Sequence, residues 1–254
     1  MKHESNYGNW IPVKIIIIPL VLSVIIFCAA ILVSNVYVRI IATVFSTIFF
    51  IFSLYFLYVF WLLGRNKRRI QMQFYEALIE RLEWDGKGRA IDIGTGNGPV
   101  AILLAKKYPH AKVTGIDQWV KVWDYSKGIC EQNARLEGLS DRIVFSKGSA
   151  VNIPYADTEF DAVTSNFVFH TIKANDRKNL IKEALRILKP GGAFAFQDLF
   201  NREFYGNIDS LISDIKSWKL KKVEFIRTSS IFKVPVALRI KHIVGDSGIL
   251  YGIK

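Results

Sequence analysis

The chain has 254 residues, 51% of them hydrophobic and 13% aromatic. That excludes a disordered or collagen-like polypeptide and argues against a wholly soluble one. Lysine and arginine outnumber acids 34 to 22, for a net charge of +12. Residues 1–64 hold only Lys2, Lys14, Arg39 and Glu4 among the charged types, so the basic excess belongs to the rest of the chain. Cys28 and Cys130 are too few for a disulfide framework or a metal cluster, which fits a reducing compartment. His3, His110 and His242 have no metal-ligand spacing, and no metal is expected.

The first elements are two uncharged stretches, Ile15–Val33 and Ile40–Leu63. At about 1.5 Å per residue both are long enough, as helices, to cross a hydrocarbon core of about 30 Å. Transmembrane spans are therefore expected over about 13–33 and 40–63. A cleaved signal peptide fits less well, because no small-residue cleavage site follows and a second apolar run comes at once. The linker Ser34–Arg39 is short enough to force an antiparallel hairpin, and Pro19 lies one turn inside the first run, where its missing N–H costs little if the helix starts nearby. Arg65, Lys67, Arg68 and Arg69 follow the second run, whereas the linker holds only Arg39. The positive-inside rule then places both termini and the following domain in the cytoplasm, with the basic cluster against anionic headgroups.

Three regions are expected: a hairpin over 1–64, a basic juxtamembrane helix and linker over 65–88, and a globular domain over 89–254. Arg69–Glu83 carries Ile70, Phe74, Leu78 and Leu82 at helical spacing. Strand Arg89–Ile93, helix Pro99–Lys107, strand Lys112–Asp117, helix Val120–Glu137 and strand Ile143–Ser146 follow. Strand Phe160–Ser165, helix Asp176–Leu188 and strand Ala193–Asp198 continue the alternation, which predicts βαβ units and a mostly parallel sheet. Beyond Asp198 a helix over Ile208–Trp218 and strands over Lys222–Thr228 and Ile249–Ile253 are expected.

One segment carries chemistry. In Ala90-Ile91-Asp92-Ile93-Gly94-Thr95-Gly96-Asn97-Gly98-Pro99 an apolar strand enters a glycine turn, and Pro99 suits the first position of a helix. Gly94 and Gly96 admit close backbone approach to a ligand, and the helix start offers free N–H groups. Val113-Thr114-Gly115-Ile116-Asp117 is a second strand ending in an acid, placed where an acid accepts from ribose hydroxyls. The dinucleotide pattern G-x-G-x-x-G/A is not met, because Pro99 occupies the third glycine's place.

With these motifs the sequence resembles the class I S-adenosylmethionine (SAM)-dependent methyltransferases, most of all the small-molecule branch that includes the quinone-biosynthesis enzymes. Asn152-Ile153-Pro154-Tyr155, Phe160-Asp161-Ala162-Val163, Phe169-His170, Leu188-Lys189-Pro190-Gly191-Gly192 and the terminal Gly248–Lys254 match in order. The resemblance implies an α/β, Rossmann-like, doubly wound seven-stranded mostly parallel sheet with one antiparallel strand, here preceded by the hairpin. It implies SAM as cofactor, with Asp92, Gly94, Thr95, Gly96 and Gly98 at its methionine end and Asp117, Gln118 and Trp119 towards the ribose and adenine. Ser149 and Ala150 are further cofactor-binding candidates; Ser149 stands where the family commonly has an aspartate that accepts from the adenine amino group, and a serine oxygen accepts without charge assistance. Trp119 either stacks on adenine or packs in the core. Asn166 either lines the cofactor or caps its strand.

Methyl transfer from an activated sulfonium requires alignment and exclusion of water, and a base only where the acceptor loses a proton. His170 is the candidate base, or else it orders its loop. Lys189–Gly192 is read as a turn leading into a strand. Ser230–Val244 mixes apolar and basic residues, and either covers an acceptor pocket, lies on the membrane surface, or is an ordinary loop. The expected activity is methylation of a small, hydrophobic or lipid-like acceptor at the cytoplasmic membrane face. The alternatives are a soluble acceptor, or a SAM-binding sensor or scaffold without turnover. Nucleic acid is not expected as a partner, because no Asn-Pro-Pro-Tyr-type motif follows the fourth strand.

Overall fold

The computed structural model describes residues 4–64, 70–120, 125–173 and 177–254. The Arg65–Arg69 cluster, part of the helix expected from Val120, and Asp176 lie outside them. Contacts divide the chain into two compact units, one of Gly8–Gln71 and one of Met72–Lys254, which also includes the segment ending at Tyr7.

In the first unit, α1 (Val13–Leu32) and α2 (Val36–Leu63) pack as a hairpin. Both are long and apolar enough to cross a membrane. Their outer faces expose aliphatic and aromatic side chains, among them Ile25, Phe27, Ile31, Phe45 and Trp61. Two buried serines join the helices reciprocally: Ser23 Oγ donates to the Ser46 carbonyl and Ser46 Oγ to that of Ser23, each at 2.8 Å. The second helix starts earlier than expected and absorbs most of the linker. The reason is a local cap, since Asn35 Oδ1 accepts from the N–H groups of Tyr37 and Val38. Pro19 stands in the second turn of α1, so the Ile15 carbonyl has no i+4 N–H donor.

In the second unit, α3 (Ile70–Glu80) buries Phe74, Tyr75 and Leu78. Seven strands follow: β1 (Arg89–Ile93), β2 (Lys112–Asp117), β3 (Ile143–Lys147), β4 (Phe160–Asn166), β5 (Leu188–Leu199), β6 (Lys222–Arg227) and β7 (Ser247–Ile253). Their order is β3-β2-β1-β4-β5-β7-β6, with β7 antiparallel to both neighbours and the other pairs parallel. The parallel crossovers contain α4 (Pro99–Lys107), α5 (Lys127–Leu136) and α6 (Lys178–Arg186), and α7 (Arg202–Tyr205) and α8 (Ile208–Lys216) lie between β5 and β6. The core holds Phe160, Phe169, Phe194 and Phe196 with the apolar face of α6. Strand order reverses between β1 and β4, and in open α/β sheets ligands bind in the crevice beyond the strands' C-terminal ends at such a switch point.

Two boundaries move from expectation. Ser126 caps α5 by accepting from Ile129 N–H, which starts the helix at Lys127. Leu188 belongs to β5, paired with Phe160, and a register irregularity precedes the Ala162–Ala193 pair. Lys189–Gly192 is therefore counted within β5 but forms an irregular bulge, with Gly191 left-handed (φ 79°), ahead of the regular pairing that begins at Ala193. The stretch after β6 is mostly loop, with short 3-10 turns at Thr228–Ser230 and Val236–Leu238.

Candidate active site

The glycine turn is held by its backbone. The N–H groups of Gly94 and Thr95 both donate to the Ile116 carbonyl, at 2.8 and 2.9 Å. Gly94 has φ +71°, and a Cβ there would lie 2.2 Å from Cγ2 of Val168. That contact brings the loop after β4 against the turn after β1. Gly96 is also left-handed (φ +57°), but its Cβ would meet only Tyr125 at an ordinary 3.5 Å. Steric need is thus greatest at Gly94.

Asp117, at the end of β2, accepts from Gly96 N–H at 2.9 Å on one oxygen and from Trp119 N–H at 2.8 Å on the other. Trp119 Nε1 donates to the Gly96 carbonyl at 2.9 Å, closing a ring between the two strand ends. It does so from a left-handed backbone (φ 46°) that a bulky residue adopts only when its surroundings hold it. Cys130 Sγ donates to the same carbonyl. Burial pushes that thiol up to about 12, with the Asp117 charge adding to the shift, so it is a structural group and not a nucleophile.

Asp92 is 1% exposed, and Thr164 Oγ1 donates to it at 3.0 Å. Burial raises its carboxyl from the ordinary range to about 7, against the opposing pull of the Thr95 and Thr164 hydroxyls; the Asp117 charge adds a little. Asn166 ends β4, and its Oδ1 is buried without a hydrogen-bond partner, as is Nδ2 of Asn97 in the glycine turn. Buried polar atoms are normally paired, so two unpaired ones flanking the switch-point crevice suit a polar ligand. A carboxyl held partly neutral by burial on β1, and a partnerless acceptor at the end of the adjacent strand β4, suit a cation in particular. SAM carries an ammonium group and ribose hydroxyls, and these residues fit it.

Other expected cofactor residues are placed less closely. Ser149 Oγ accepts from Val151 N–H at 3.3 Å within a small turn closed by a Ser149–Asn152 bridge. Ala150 is buried in the apolar core, and Gln118 is exposed. Among the described residues none of these three is tied by a hydrogen bond to the glycine turn.

His170 lies in the 3-10 turn Phe169–Thr171 after β4, and its partner was not foreseen. Its Nδ1 makes a very short hydrogen bond to Oδ1 of Asp198, near the end of β5, and its backbone N–H donates to Oδ2 at 2.9 Å. Asp198 is 1% exposed and also accepts from Leu199 N–H at 2.7 Å and from the Tyr205 hydroxyl at 2.9 Å. Burial, reinforced by the Asp198 charge, raises the Tyr205 phenol well above its ordinary value, so it stays a donor. A buried carboxylate on Nδ1 sets the tautomer and leaves Nε2 as the ring's free acceptor. Among the described residues Nε2 has no hydrogen-bond partner. Arg177 braces this turn by donating to the carbonyls of Phe169, His170 and Ile172, with its guanidinium 4.8 Å from the Phe204 ring centre.

Aromatic rings surround the histidine. Phe167 lies 6.3 Å and Phe204 5.6 Å from it, centre to centre, and Phe74 of α3 touches Phe167 and Phe232 at 5.5 and 4.9 Å. The sequence signal for Asp198 was a third acid at a strand's C-terminal end, like Asp92 and Asp117. Nothing local marked Tyr205 or Arg177.

Residues 91–196 match the family described as "Methyltransferase domain". A demethylmenaquinone methyltransferase of Thermotoga maritima is 32% identical over 133 residues, covering 51% of this chain and 52% of that protein. A sterol 24-C-methyltransferase of Gibberella zeae is 32% identical over 121 residues, covering 48% of this chain and 30% of that protein. The chain thus spans about half or less of the length of these curated relatives. Among solved structures, a geranyl diphosphate C-methyltransferase of Streptomyces coelicolor, crystallised with S-adenosyl-L-homocysteine, shares the fold with a TM-score of 0.57 at 14% identity. That likeness covers 74% of this chain and 80% of the other. The matched stretch, which contains the glycine turn and both strand-end acids, is a methyltransferase domain, with SAM as its cofactor.

Proposed function

We propose that the protein is a membrane-anchored methyltransferase that moves the SAM methyl group to a small hydrophobic acceptor, a quinone- or sterol-like lipid in character, at the cytoplasmic face. The observation that carries this reading is the His170–Asp198–Tyr205 arrangement beside the glycine turn, set among Phe74, Phe167, Phe204 and Phe232. Relatives that act on menaquinone precursors and sterols support the acceptor class. The apolar outer faces of α1 and α2 and the basic run Arg65–Arg69 support the anchor and its orientation.

SAM, when bound, supplies a methyl group already activated on a sulfonium. The chain's own residues then bind, orient and take up a proton. Asp92, Asn166 and the Gly94–Gly98 turn hold the methionine end, and Asp117 the ribose. The aromatic rings exclude water and pack the acceptor. An acceptor hydroxyl or acidic carbon passes its proton to His170 Nε2, and Asp198 stabilises the imidazolium that forms.

The test uses the full chain in lipid nanodiscs with tritiated SAM and a membrane lipid extract. Label should enter organic-soluble product, and deleting the hairpin should lower turnover while SAM affinity stays nearly intact. If all label stays in water-soluble product and the truncated protein works equally well, the acceptor is soluble and the hairpin only an address.

A further inference from the structure

We propose that Ser5–Tyr7, ahead of the first apolar helix, forms a strap that positions the SAM-binding glycine turn through Asn133. The strap belongs to the same compact unit as the methyltransferase domain, 127 residues away in sequence from the side chain that grips it. Asn133, on α5, is 1% exposed. Its Oδ1 accepts from Asn6 N–H at 2.8 Å, and its Nδ2 donates to the Asn6 carbonyl at 2.9 Å and to the Asn97 carbonyl at 2.9 Å. One amide therefore clamps the strap's backbone with one edge and the glycine turn's backbone with its remaining hydrogen. Its orientation is unambiguous, because a flipped amide would set donor against the Asn6 N–H.

A second grip reinforces the first. Ser5 Oγ and Tyr7 Oη both donate to Oε1 of Glu137, at 2.7 and 2.9 Å, and Lys106 Nζ lies 2.6 Å from Oε2. Lys106 stands in the last turn of α4, the helix that the glycine turn opens into. The strap is thus joined to the turn at Asn97 and to the far end of the following helix.

Without the strap, Asn133 keeps one of its three protein hydrogen bonds and opens to water. Its rotamer is then free, and the Asn97 carbonyl, between Gly96 and Gly98, exchanges a fixed donor for solvent. A binding turn that must be ordered on ligand arrival binds more weakly than one already ordered. Residues 8–12 continue the chain from the strap to α1. Asn6 and Asn133 are positioning residues here, since neither needs to touch SAM.

The inference rests on SAM binding at the glycine turn, and the experiment separates the two. Full-length protein in nanodiscs is titrated with SAM as the unaltered chain, as Asn6→Pro, as the Ser5→Ala/Tyr7→Phe pair and as Asn133→Ala. Each strap variant should weaken SAM about three- to tenfold and Asn133→Ala about tenfold or more, the scale of one or two lost hydrogen bonds. In the unaltered chain, S-adenosylhomocysteine should slow hydrogen exchange at the Asn6 amide, because coupling between two sites is reciprocal. This second readout needs no variant to fold, and a merely structural strap would not respond. Unchanged SAM affinity in the folded strap variants, or Asn6 exchange indifferent to the nucleoside, would overturn the strap while leaving SAM binding in place. Failure of the unaltered chain to bind SAM would overturn both.

Discussion

Asp92 makes the most quantitative prediction, because its carboxyl is raised by burial to about 7 from an ordinary value of 3.8. At about 1.4 kcal/mol per pKa unit, ionising it in the free protein costs roughly 4 kcal/mol relative to the unfolded chain. The sign follows from proton counts. Between about pH 4 and 7 the folded state holds a proton that the unfolded state has lost, so stability falls as pH rises across that window and levels off above it. A bound cation reverses the preference and draws Asp92 to its ionised form. SAM binding should therefore release a proton from Asp92, most fully near pH 6 and little by pH 8, and this carboxyl's contribution to affinity should rise about tenfold over that range. Calorimetry in buffers of different ionisation enthalpy measures that proton directly. The ligand's own amino group titrates near pH 8, so the comparison of proton release with Asp92→Asn is made at pH 6 to 7, where that group is already mostly protonated and the difference isolates Asp92. The Asn variant should bind SAM about ten- to a hundredfold more weakly at pH 8, the loss of a charge-assisted contact. Its ligand-free form should nevertheless melt higher than the unaltered chain at that pH, since no buried anion remains. Equal proton release by the two proteins at pH 7 would refute the placement of the ammonium group at Asp92.

Gly94→Ala should cost SAM at least tenfold, because its Cβ would sit 2.2 Å from Val168, and Val168→Ala in the same chain should recover part of that loss in a binding titration. Asp198→Asn should lower turnover about a hundredfold or more while SAM affinity is kept, since an amide cannot accept from both the His170 and Leu199 N–H groups and no longer fixes the base; turnover within threefold of normal would remove His170 as the base. Asp117→Ala should weaken SAM about tenfold or more by calorimetry, losing the ribose acceptor along with the support of Gly96 and Trp119. Cysteine at position 35, but not at 66, should react with an impermeant reagent in intact cells, and the reverse pattern would invert the proposed topology.

What the sequence determined by itself was whatever rests on local chemistry. Helix and strand periodicity, the Gly94–Gly98 turn, and acids at the ends of Arg89–Ile93 and Lys112–Asp117 depend on a few consecutive residues. They were enough to specify the sheet and its cofactor, and to single out the turn and strand-end residues proposed to hold it. Local caps shifted boundaries without changing the order of elements, as at Asn35 and Ser126. The surroundings of His170, the proposed base, were decided only by tertiary structure. His170 and Asp198 are 28 residues apart and meet because β4 and β5 run parallel as neighbours, so their C-terminal ends share one edge. Tyr205 and Arg177 join them from opposite directions in the chain. The clamp of Asn133 on Asn6 and Asn97 is equally invisible beforehand. An asparagine on a helix and an asparagine near a terminus carry no periodic or compositional signal, and a hydrogen bond between them takes meaning only once folding has removed both from water.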